Sequence, residues 1–372
     1  MGKNLFFLIL FIALFSACNL EQKTEGDSMY LLVGSYSDGI TSGISVFNFD
    51  IQTGDYEFIS DVKQVLNPSY LVISPDEKMV YSVNETKEGG VSSFTFKKRK
   101  GILNFVNYQP AYGASPCYIN MDKNKNFIVT ANYNGGNISV FPLDNDGSIK
   151  PLSMNIDMVM TDSPDSKMHT AVFSPDETRL LVTDLGKDNI YTFKIKPYER
   201  NYFLELPPES TTKVETGSGP RHLAFHPNGK YLYCINELSG DVTVFNYKEG
   251  GLDEVQTIVS DTTQSSKRKG SADIHLTSDG RFLYSSNRLK ADGIAIFTVN
   301  PENGKLTNVG YQLTGVHPRN FIITPNNKFL LCANLSSNNI QIFEIDSATG
   351  LLYNTEKEIS LNQPVCLKFV KK

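Results

Sequence analysis

The sequence predicts an all-β protein, a seven-bladed β-propeller with four antiparallel strands in each blade. One phrase recurs along the 372 residues and is clearest in Pro220–Phe245 and Pro318–Phe343. Its copies open at positions 68, 116, 168, 220, 271, 318 and 364, and the last copy is incomplete. A period near 50 residues that holds several short strands is typical of a propeller blade.

The copy that opens at Pro220 indicates how each blade is built. Between its strands lie turn residues, since Pro227 presets its own φ and Gly229 tolerates a positive φ. Proline is acceptable at the first position because the strand ladder has not yet begun there. The four strands are expected at Arg221–Phe225, Tyr231–Ile235, Asp241–Asn246 and Leu252–Val259.

The two ends of the chain are expected to complete one blade between them. The N-terminal copy begins with a second strand, Tyr30–Tyr36, and continues with Gly43–Asp50 and Asp55–Val62. The missing first strand is supplied by Pro364–Val370, and this pairing leaves no open sheet edge. An array of β-sandwiches has similar strand spacing, but it does not explain why the two chain ends complement each other.

Residues 1–17 are predicted to be a lipoprotein signal peptide, residues 18–29 a flexible tether and residues 30–372 a single propeller. The apolar run Leu5–Phe15 follows Lys3 and is too short to anchor a protein across a bilayer. Small residues stand directly before Cys18, which resembles a bacterial lipoprotein signal. We therefore expect an exported protein that contacts the membrane only through a lipid on Cys18, at the cell envelope. The alternative is an ordinary cleaved signal with a chance cysteine.

The composition excludes several classes of function. Net charge is −5, and the longest basic run is Lys97–Lys100 in a turn, so no basic face for nucleic acid is expected. Nucleophile-elbow, HExxH and phosphate-loop motifs are missing, so neither a metal nor a cofactor is predicted. We expect a monomer. Four cysteines fall in predicted strands without CxxC spacing and are interpreted as buried free thiols rather than a disulfide or metal site: Cys117, Cys234, Cys332 and Cys366.

Two columns of the internal alignment are expected to meet at one mouth of the central channel. The first strand of a blade is innermost, and it begins on the same face of the disc on which the second strand ends. The first column, after each opening residue, is Ser69, Cys117, His169, Arg221, Ala272, Arg319 and Val365. The second column, at the end of each second strand, is Tyr36, Glu85, Tyr133, Leu185, Glu237, Arg288 and Leu335.

The charged members of these columns belong to particular blades, which makes them candidates for function. They are His169, Arg221, Arg288, Arg319, Glu85 and Glu237, with His222 and His275 close by in sequence. Arginine forks suit carboxylate or phosphate, and a Glu or His can transfer protons. A structural ion-pair plug is the alternative. By contrast, a polar residue that recurs at strand ends is interpreted as architecture: Asn84, Asn132, Asp184, Asn236, Asn287 and Asn334.

Several stretches resemble the seven-bladed propeller lactonases, over nearly the whole chain after the signal. The residues that carry the resemblance include an SSNR motif that ends at Arg288 and a PRNF motif that contains Arg319. The other matching stretches are Asn67–Asp76, Ser115–Ile119, Ala131–Phe141, Phe173–Asp188 and Gly219–Glu237.

This resemblance implies metal-free hydrolysis of a sugar or sugar-acid lactone, as in 6-phosphogluconolactonase. In the implied site the catalytic residues are His169, Arg221, Glu237 and Arg288. Arg319 and Lys167 are candidates for a phosphate or carboxylate clamp, and the internal alignment adds His222, Glu85 and His275 as further substrate-binding candidates. The family has two histidines separated by one residue, and Lys167 stands in place of the first. The alternative function is a non-catalytic envelope propeller that binds a small anionic ligand or a protein partner.

Overall fold

A computed structural model describes residues 27–36, 43–158, 166–198, 201–248, 250–262, 269–290 and 292–372. The predicted signal peptide, Cys18 and all of the predicted tether before Asp27 lie outside these ranges. The described strands form seven antiparallel sheets, and they confirm the predicted seven-bladed β-propeller. No helix in the described part of the chain is long and apolar enough to cross a membrane.

In each blade the first strand lies nearest the channel and the last strand lies outermost. The strand bounds are close to those expected. Blade 1 contains β29 (Pro364–Lys371), β1 (Ser28–Ser35), β2 (Ile44–Asp50) and β3 (Tyr56–Val62). Blade 2 contains β4 (Leu71–Ile73), β5 (Met79–Asn84), β6 (Gly90–Lys97) and β7 (Ile102–Pro110). Blade 3 contains β8 (Pro116–Met121), β9 (Phe127–Asn132), β10 (Asn137–Pro142) and β11 (Met154–Asp157).

The remaining four blades repeat this order, with one addition in blade 4. Blade 4 contains β12 (Met168–Phe173), β13 (Arg179–Asp184), β14 (Asn189–Tyr198), β15 (Asn201–Leu204) and β16 (Ser210–Lys213). Blade 5 contains β17 (Pro220–Phe225), β18 (Tyr231–Asn236), β19 (Asp241–Lys248) and β20 (Gly251–Val259). Blade 6 contains β21 (Ile274–Leu276), β22 (Phe282–Asn287), β23 (Gly293–Val299) and β24 (Leu306–Leu313). Blade 7 contains β25 (Pro318–Ile323), β26 (Phe329–Asn334), β27 (Asn339–Ile345) and β28 (Leu352–Ser360).

Blade 4 differs from the expected four strands because its third strand is long. One half of β14 pairs with β16, from Asn189 to Thr192, and the other half pairs with β15, from Ile195 to Tyr198. Two short strands therefore share the outer edge of this blade.

The ring closes as predicted, through antiparallel pairing of β1 with β29. The register runs from Met29 opposite Lys371 to Gly34 opposite Cys366. The second strand of each blade is buried along its whole length or nearly so, because neighbouring blades cover both of its faces. The apolar core therefore lies between blades and continues around the ring, and it holds the inner strand ends in fixed positions.

The recurring strand-end asparagines join neighbouring strands within a blade, which agrees with an architectural role. Asn132 Nδ2 lies 3.1 Å from Asn137 Oδ1 and 2.8 Å from Ser139 Oγ. Asn236 Nδ2 lies 2.9 Å from Thr243 Oγ1 in the same way. All four cysteines in the described residues are free and buried, as predicted, and burial raises the pKa of each thiol.

Five innermost strands carry a β-bulge at their start, and at Arg221 the bulge places two successive residues toward the channel. A bulge inserts one unpaired residue and re-aims its side chain. Arg221 and His222 show the effect, since both contact residues that directly precede the innermost strand of the next blade, Ala272 and Asp273. The unpaired residues are Cys117, His169, Arg221, Arg319 and Val365.

Candidate active site

Glu237 holds two arginines together at one mouth of the channel. Its Oε2 accepts a 2.8 Å hydrogen bond from Arg221 Nε and lies 3.3 Å from Arg288 Nη2. Burial alone would raise the pKa of Glu237. The charges of Arg288 and Arg221 outweigh burial and hold this pKa below its ordinary value. Glu237 is therefore ionised at neutral pH, and it offsets part of the cost of burying two guanidinium groups.

Backbone oxygens fix the orientation of Arg288. Its Nε donates a 2.6 Å hydrogen bond to the carbonyl of Gly270, and its Nη2 lies 3.4 Å from the carbonyl of Ser271. Burial and the neighbouring Arg221 lower the pKa of Arg288 to about 9, which leaves the group positive at neutral pH.

Arg319 has a different environment from the other two arginines. Its Nη2 lies 3.6 Å from Glu85 Oε2, and its guanidinium lies over the Tyr36 ring at 5.2 Å. Tyr36 in turn donates a 2.8 Å hydrogen bond to Glu85 Oε2. Within the described residues the Arg319 guanidinium makes no hydrogen bond, so its N–H groups are available to a bound molecule.

His169 is buried beside the charged side chains of the mouth, and one of its ring nitrogens is free to accept or donate a hydrogen bond. Its Nδ1 has no hydrogen-bond partner in the described part of the chain. The ring packs edge-on against Tyr133 and His222, with centroid distances of 5.6 and 5.1 Å. Burial and the nearby Arg221 hold the pKa of His169 well below its ordinary value, so the imidazole is neutral at neutral pH.

Residues of the first predicted column, with the residues that directly follow three of them, line a small cavity beneath the mouth. It has a volume of about 10 Å³, which is close to the space that one water molecule needs. His169, Arg221 and Arg319 line it together, so a base and two guanidinium groups face the same point.

The charges at this mouth do not cancel. At the mouth itself three arginines face two carboxylates, Glu237 and Glu85, which leaves a local surplus of one positive charge, while a further buried carboxylate, Asp273, lies deeper behind His222. A buried surplus charge is costly unless a ligand compensates it. The mouth therefore favours an anion, or an uncharged group that becomes negative during reaction.

In the described ranges, no group of three His, Cys, Asp or Glu side chains is placed to hold a metal ion.

Lys167 lies at the rim of the same mouth, half-buried. Its Nζ lies 3.3 Å from Asn134 Oδ1 and 5.4 Å from the centroid of the Tyr133 ring. No carboxylate pairs with it among the residues that the structure describes. Lys167 therefore adds a second positive charge beside the buried surplus.

His317 belongs to the site, although the two predicted columns do not contain it. Its Nε2 lies 3.2 Å from Arg288 Nη1, and it adopts a positive φ of 65°. Burial and Arg288 lower the pKa of His317 to about 4. His317 and Lys167 each stand directly before a blade-opening residue, so a third column of the internal alignment would have found His317.

The structure places His222 and His275 deeper than the other predicted site residues. His222 lies beneath Arg221 inside the channel, and its Nδ1 is 2.7 Å from Asp273 Oδ1. His275 contacts the other oxygen of Asp273. It lines a cavity of about 360 Å³ at the opposite opening of the channel, together with Tyr70, Tyr118 and Lys368. The structure therefore brings seven of the nine predicted residues to one mouth, and His275 to the other.

The family comparison covers almost the whole propeller. The family model described as lactonase, seven-bladed β-propeller, matches residues 30–369. A protein from Formosa agariphila named 6-phosphogluconolactonase is 38% identical over 346 residues, which are 89% of this chain and 97% of that protein.

Two solved structures show the same architecture. A Bacteroides fragilis protein, provisionally assigned as a 6-phosphogluconolactonase, is 48% identical with a TM-score of 0.88, and the match covers 93% of this chain and 99% of that chain. A Pseudomonas aeruginosa protein described as a periplasmic gluconolactonase is 29% identical with a TM-score of 0.86, with 92% and 99% covered.

Proposed function

Because the chain belongs to the seven-bladed β-propeller lactonase family and is a lactone hydrolase, we propose that its arginine-lined mouth opens a gluconolactone-type sugar lactone. The observation that carries this proposal is one cavity lined by His169, Arg221 and Arg319. A neutral base and two guanidinium groups at one point are the parts that hydrolysis of an ester bond requires.

The reaction begins when water attacks the lactone carbonyl carbon. One proton of the water passes to the neutral imidazole of His169, and the carbonyl oxygen becomes an oxyanion. Arg319 and the Nη2 of Arg221 donate hydrogen bonds to this oxyanion, where donors contribute most to the rate. The oxyanion then collapses and the ring C–O bond breaks. The ring oxygen takes the proton back from His169, and the product is the open hydroxy acid.

The positive surplus at the mouth also bears on the substrate. It stabilises the oxyanion whichever lactone is bound, and Lys167 adds a cation at the rim. A phosphorylated sugar lactone would gain from both charges, whereas an unphosphorylated lactone would gain mainly from the buried one. We therefore expect both to be hydrolysed, with the lower KM for 6-phosphogluconolactone.

The test is a panel of phosphorylated and unphosphorylated sugar lactones against the purified propeller, with the uncatalysed rate subtracted. We expect Lys167→Ala to raise KM for 6-phosphogluconolactone and to leave KM for gluconolactone unchanged. If neither lactone is hydrolysed above the uncatalysed rate but both bind, the mouth serves a non-catalytic binding protein instead.

We also propose that the protein is exported and anchored to the cell envelope through a lipid on Cys18. The small residues before Cys18 support this, as does the description of the Pseudomonas aeruginosa relative as periplasmic. The second strand of blade 1 begins at Ser28 on the face opposite the charged mouth, so a tether leaving there would keep that mouth clear of the membrane. Membrane fractionation of the wild type and Cys18→Ala tests the anchor, and equal release of both into the soluble fraction would contradict it.

A further inference from the structure

A buried carboxylate and an imidazole lie directly behind Arg221. Asp273 is 1% exposed, and its Oδ1 is 2.7 Å from His222 Nδ1. On the other side of the ring, His222 Nε2 is 3.3 Å from Arg221 Nη1. The three side chains therefore form a chain of polar contacts, which runs from the Asp273 carboxylate through the His222 imidazole to the Arg221 guanidinium.

Three acceptors hold two of the three nitrogens of the Arg221 guanidinium. Its Nε donates to Glu237 Oε2 at 2.8 Å, and its Nη1 donates to the Ala272 carbonyl and lies beside His222 Nε2. In the described residues Nη2 has no hydrogen bond. The guanidinium is thus anchored through Nε and Nη1, and Nη2 is left for substrate.

The chemistry of arginine decides where the proton of His222 lies. A guanidinium only donates, so His222 Nε2 must be the acceptor and must carry no proton. The ring proton then lies on Nδ1 and is donated to Asp273, since the bond made by one ring nitrogen sets the state of the other. With His222 in the opposite tautomer, an N–H would face an N–H and Arg221 would lose its third anchor.

We propose that Asp273 and His222 are positioning residues of the lactonase site, which hold Arg221 in its working orientation by fixing His222 in the Nδ1-protonated tautomer. This inference rests on the proposed function, since it assigns Arg221 to the oxyanion. Further contacts fix the Asp273 carboxylate: Asn320 donates to its Oδ2, His275 Nε2 lies 3.0 Å from the same oxygen, and the backbone N–H groups of Ile274 and Phe321 also donate to the carboxylate. Burial and Arg221 lower the pKa of His222 to about 4, so the neutral ring persists at neutral pH.

The first test reads the tautomer in the wild-type protein and requires no variant to fold. Histidine labelled with ¹⁵N gives different nitrogen shifts for protonated and unprotonated ring positions. We expect His222 to have a protonated Nδ1 and an unprotonated Nε2 at pH 7. A protonated Nε2, or a doubly protonated ring, would overturn the proposal. This readout is independent of activity, so failure of the lactonase assignment and failure of the positioning role are distinguishable.

The second test uses the wild type and two variants of His222. Glutamine offers one acceptor and one donor, so His222→Gln should keep at least about a tenth of kcat/KM, whereas His222→Leu should lose about 100-fold, mostly in kcat. A His222→Leu variant that is folded and whose kcat/KM lies within about threefold of wild type would contradict the proposal.

The matched controls are His226→Gln and His226→Leu. His226 lies in a turn, where its Nε2 faces the Gly280 carbonyl. A merely structural role would lower stability in both series without separating glutamine from leucine in kcat.

Discussion

The guanidinium of Arg319 lies over the ring of Tyr36, with 5.2 Å between the guanidinium carbon and the ring centroid. The Tyr36 hydroxyl donates to Glu85 Oε2, the same oxygen that lies 3.6 Å from Arg319 Nη2. An aromatic face and a carboxylate therefore position this arginine without using its hydrogen-bond donors. Of the three arginines at the mouth, Arg319 is the most available to substrate.

Arg319→Lys should lower kcat/KM substantially. Lysine cannot stack on Tyr36 or present two parallel donors, so the charge is kept while the geometry is lost. A charge-assisted hydrogen bond contributes about 1.5–3 kcal/mol, which corresponds to a loss of roughly 10- to 150-fold. Lactone hydrolysis by the purified variant measures it. Arg281→Lys is the control, because Arg281 is exposed and pairs with Asp279 on a turn; equal rates for both variants would contradict the role of Arg319.

Glu237→Gln should reduce both stability and activity. Glutamine keeps a neutral acceptor but leaves Arg221 and Arg288 without their shared negative charge. We expect a loss of about 1–3 kcal/mol in the free energy of unfolding, measured by urea denaturation, and a fall in kcat of about 100-fold or more.

A matched pair elsewhere in the fold separates these two effects. Glu209 also bridges two cations, Arg179 and Lys194, and its side chain is 22% exposed, as is that of Glu237. Glu209→Gln should therefore lose stability but retain activity. If both variants lose activity to the same degree, the charge network of Glu237 has no special role in the reaction.

The repeat made most of the site predictable from sequence. Equivalent positions of the seven blades lie at the same mouth of the channel. The internal alignment therefore predicted Arg221, Glu237, Arg288 and Arg319 as neighbours without any knowledge of contacts. The pairing of the chain ends was predictable for a similar reason, since an incomplete first blade and an extra last strand complement each other.

The depth of each side chain in the channel was not predictable in this way. A β-bulge at Arg221 turns two successive residues inward, and nothing in the local sequence marks the unpaired residue. His222 therefore lies beneath the mouth rather than on its rim, and His275 lies at the opposite opening. Asp273 lies two residues after its blade-opening residue, outside the two columns predicted to meet at the mouth, and it is the one carboxylate at that position of the repeat.

The four cysteines of the propeller should resist thiol reagents in the native state. All are buried and free, and burial raises the pKa of Cys366 to about 11 and that of the other three higher still. Because the thiolate is the reactive form, modification requires unfolding. A variant that lacks residues 1–18 should react slowly with a disulfide reagent in buffer and release four equivalents in denaturant. Rapid reaction in buffer would contradict the burial of these thiols.

Activity and stability should depend on pH below neutrality, and the sign follows from the histidines. His169, His222 and His317 have lowered pKa values in the folded protein, with the latter two at about 4. They are neutral in the fold at pH 7, so kcat/KM should be flat between pH 6 and 8 and fall only as the pH approaches about 4, without an inflection near the ordinary histidine pKa of about 6.5.

Stability should begin to fall earlier than activity. Between pH 6.5 and pH 4 the unfolded chain binds protons at these histidines that the folded protein does not, so the free energy of unfolding decreases as the pH falls through this range. Asp273 and Glu237 have lowered pKa values and remain ionised in the fold, so their contribution is lost only below the ordinary carboxyl pKa of about 4. Urea denaturation at pH 7, 5.5 and 4.5 measures this slope, and His222→Gln should make it shallower because it removes one of the three groups. A free energy of unfolding that stays constant over these three pH values would show that the histidines are not held neutral by the fold.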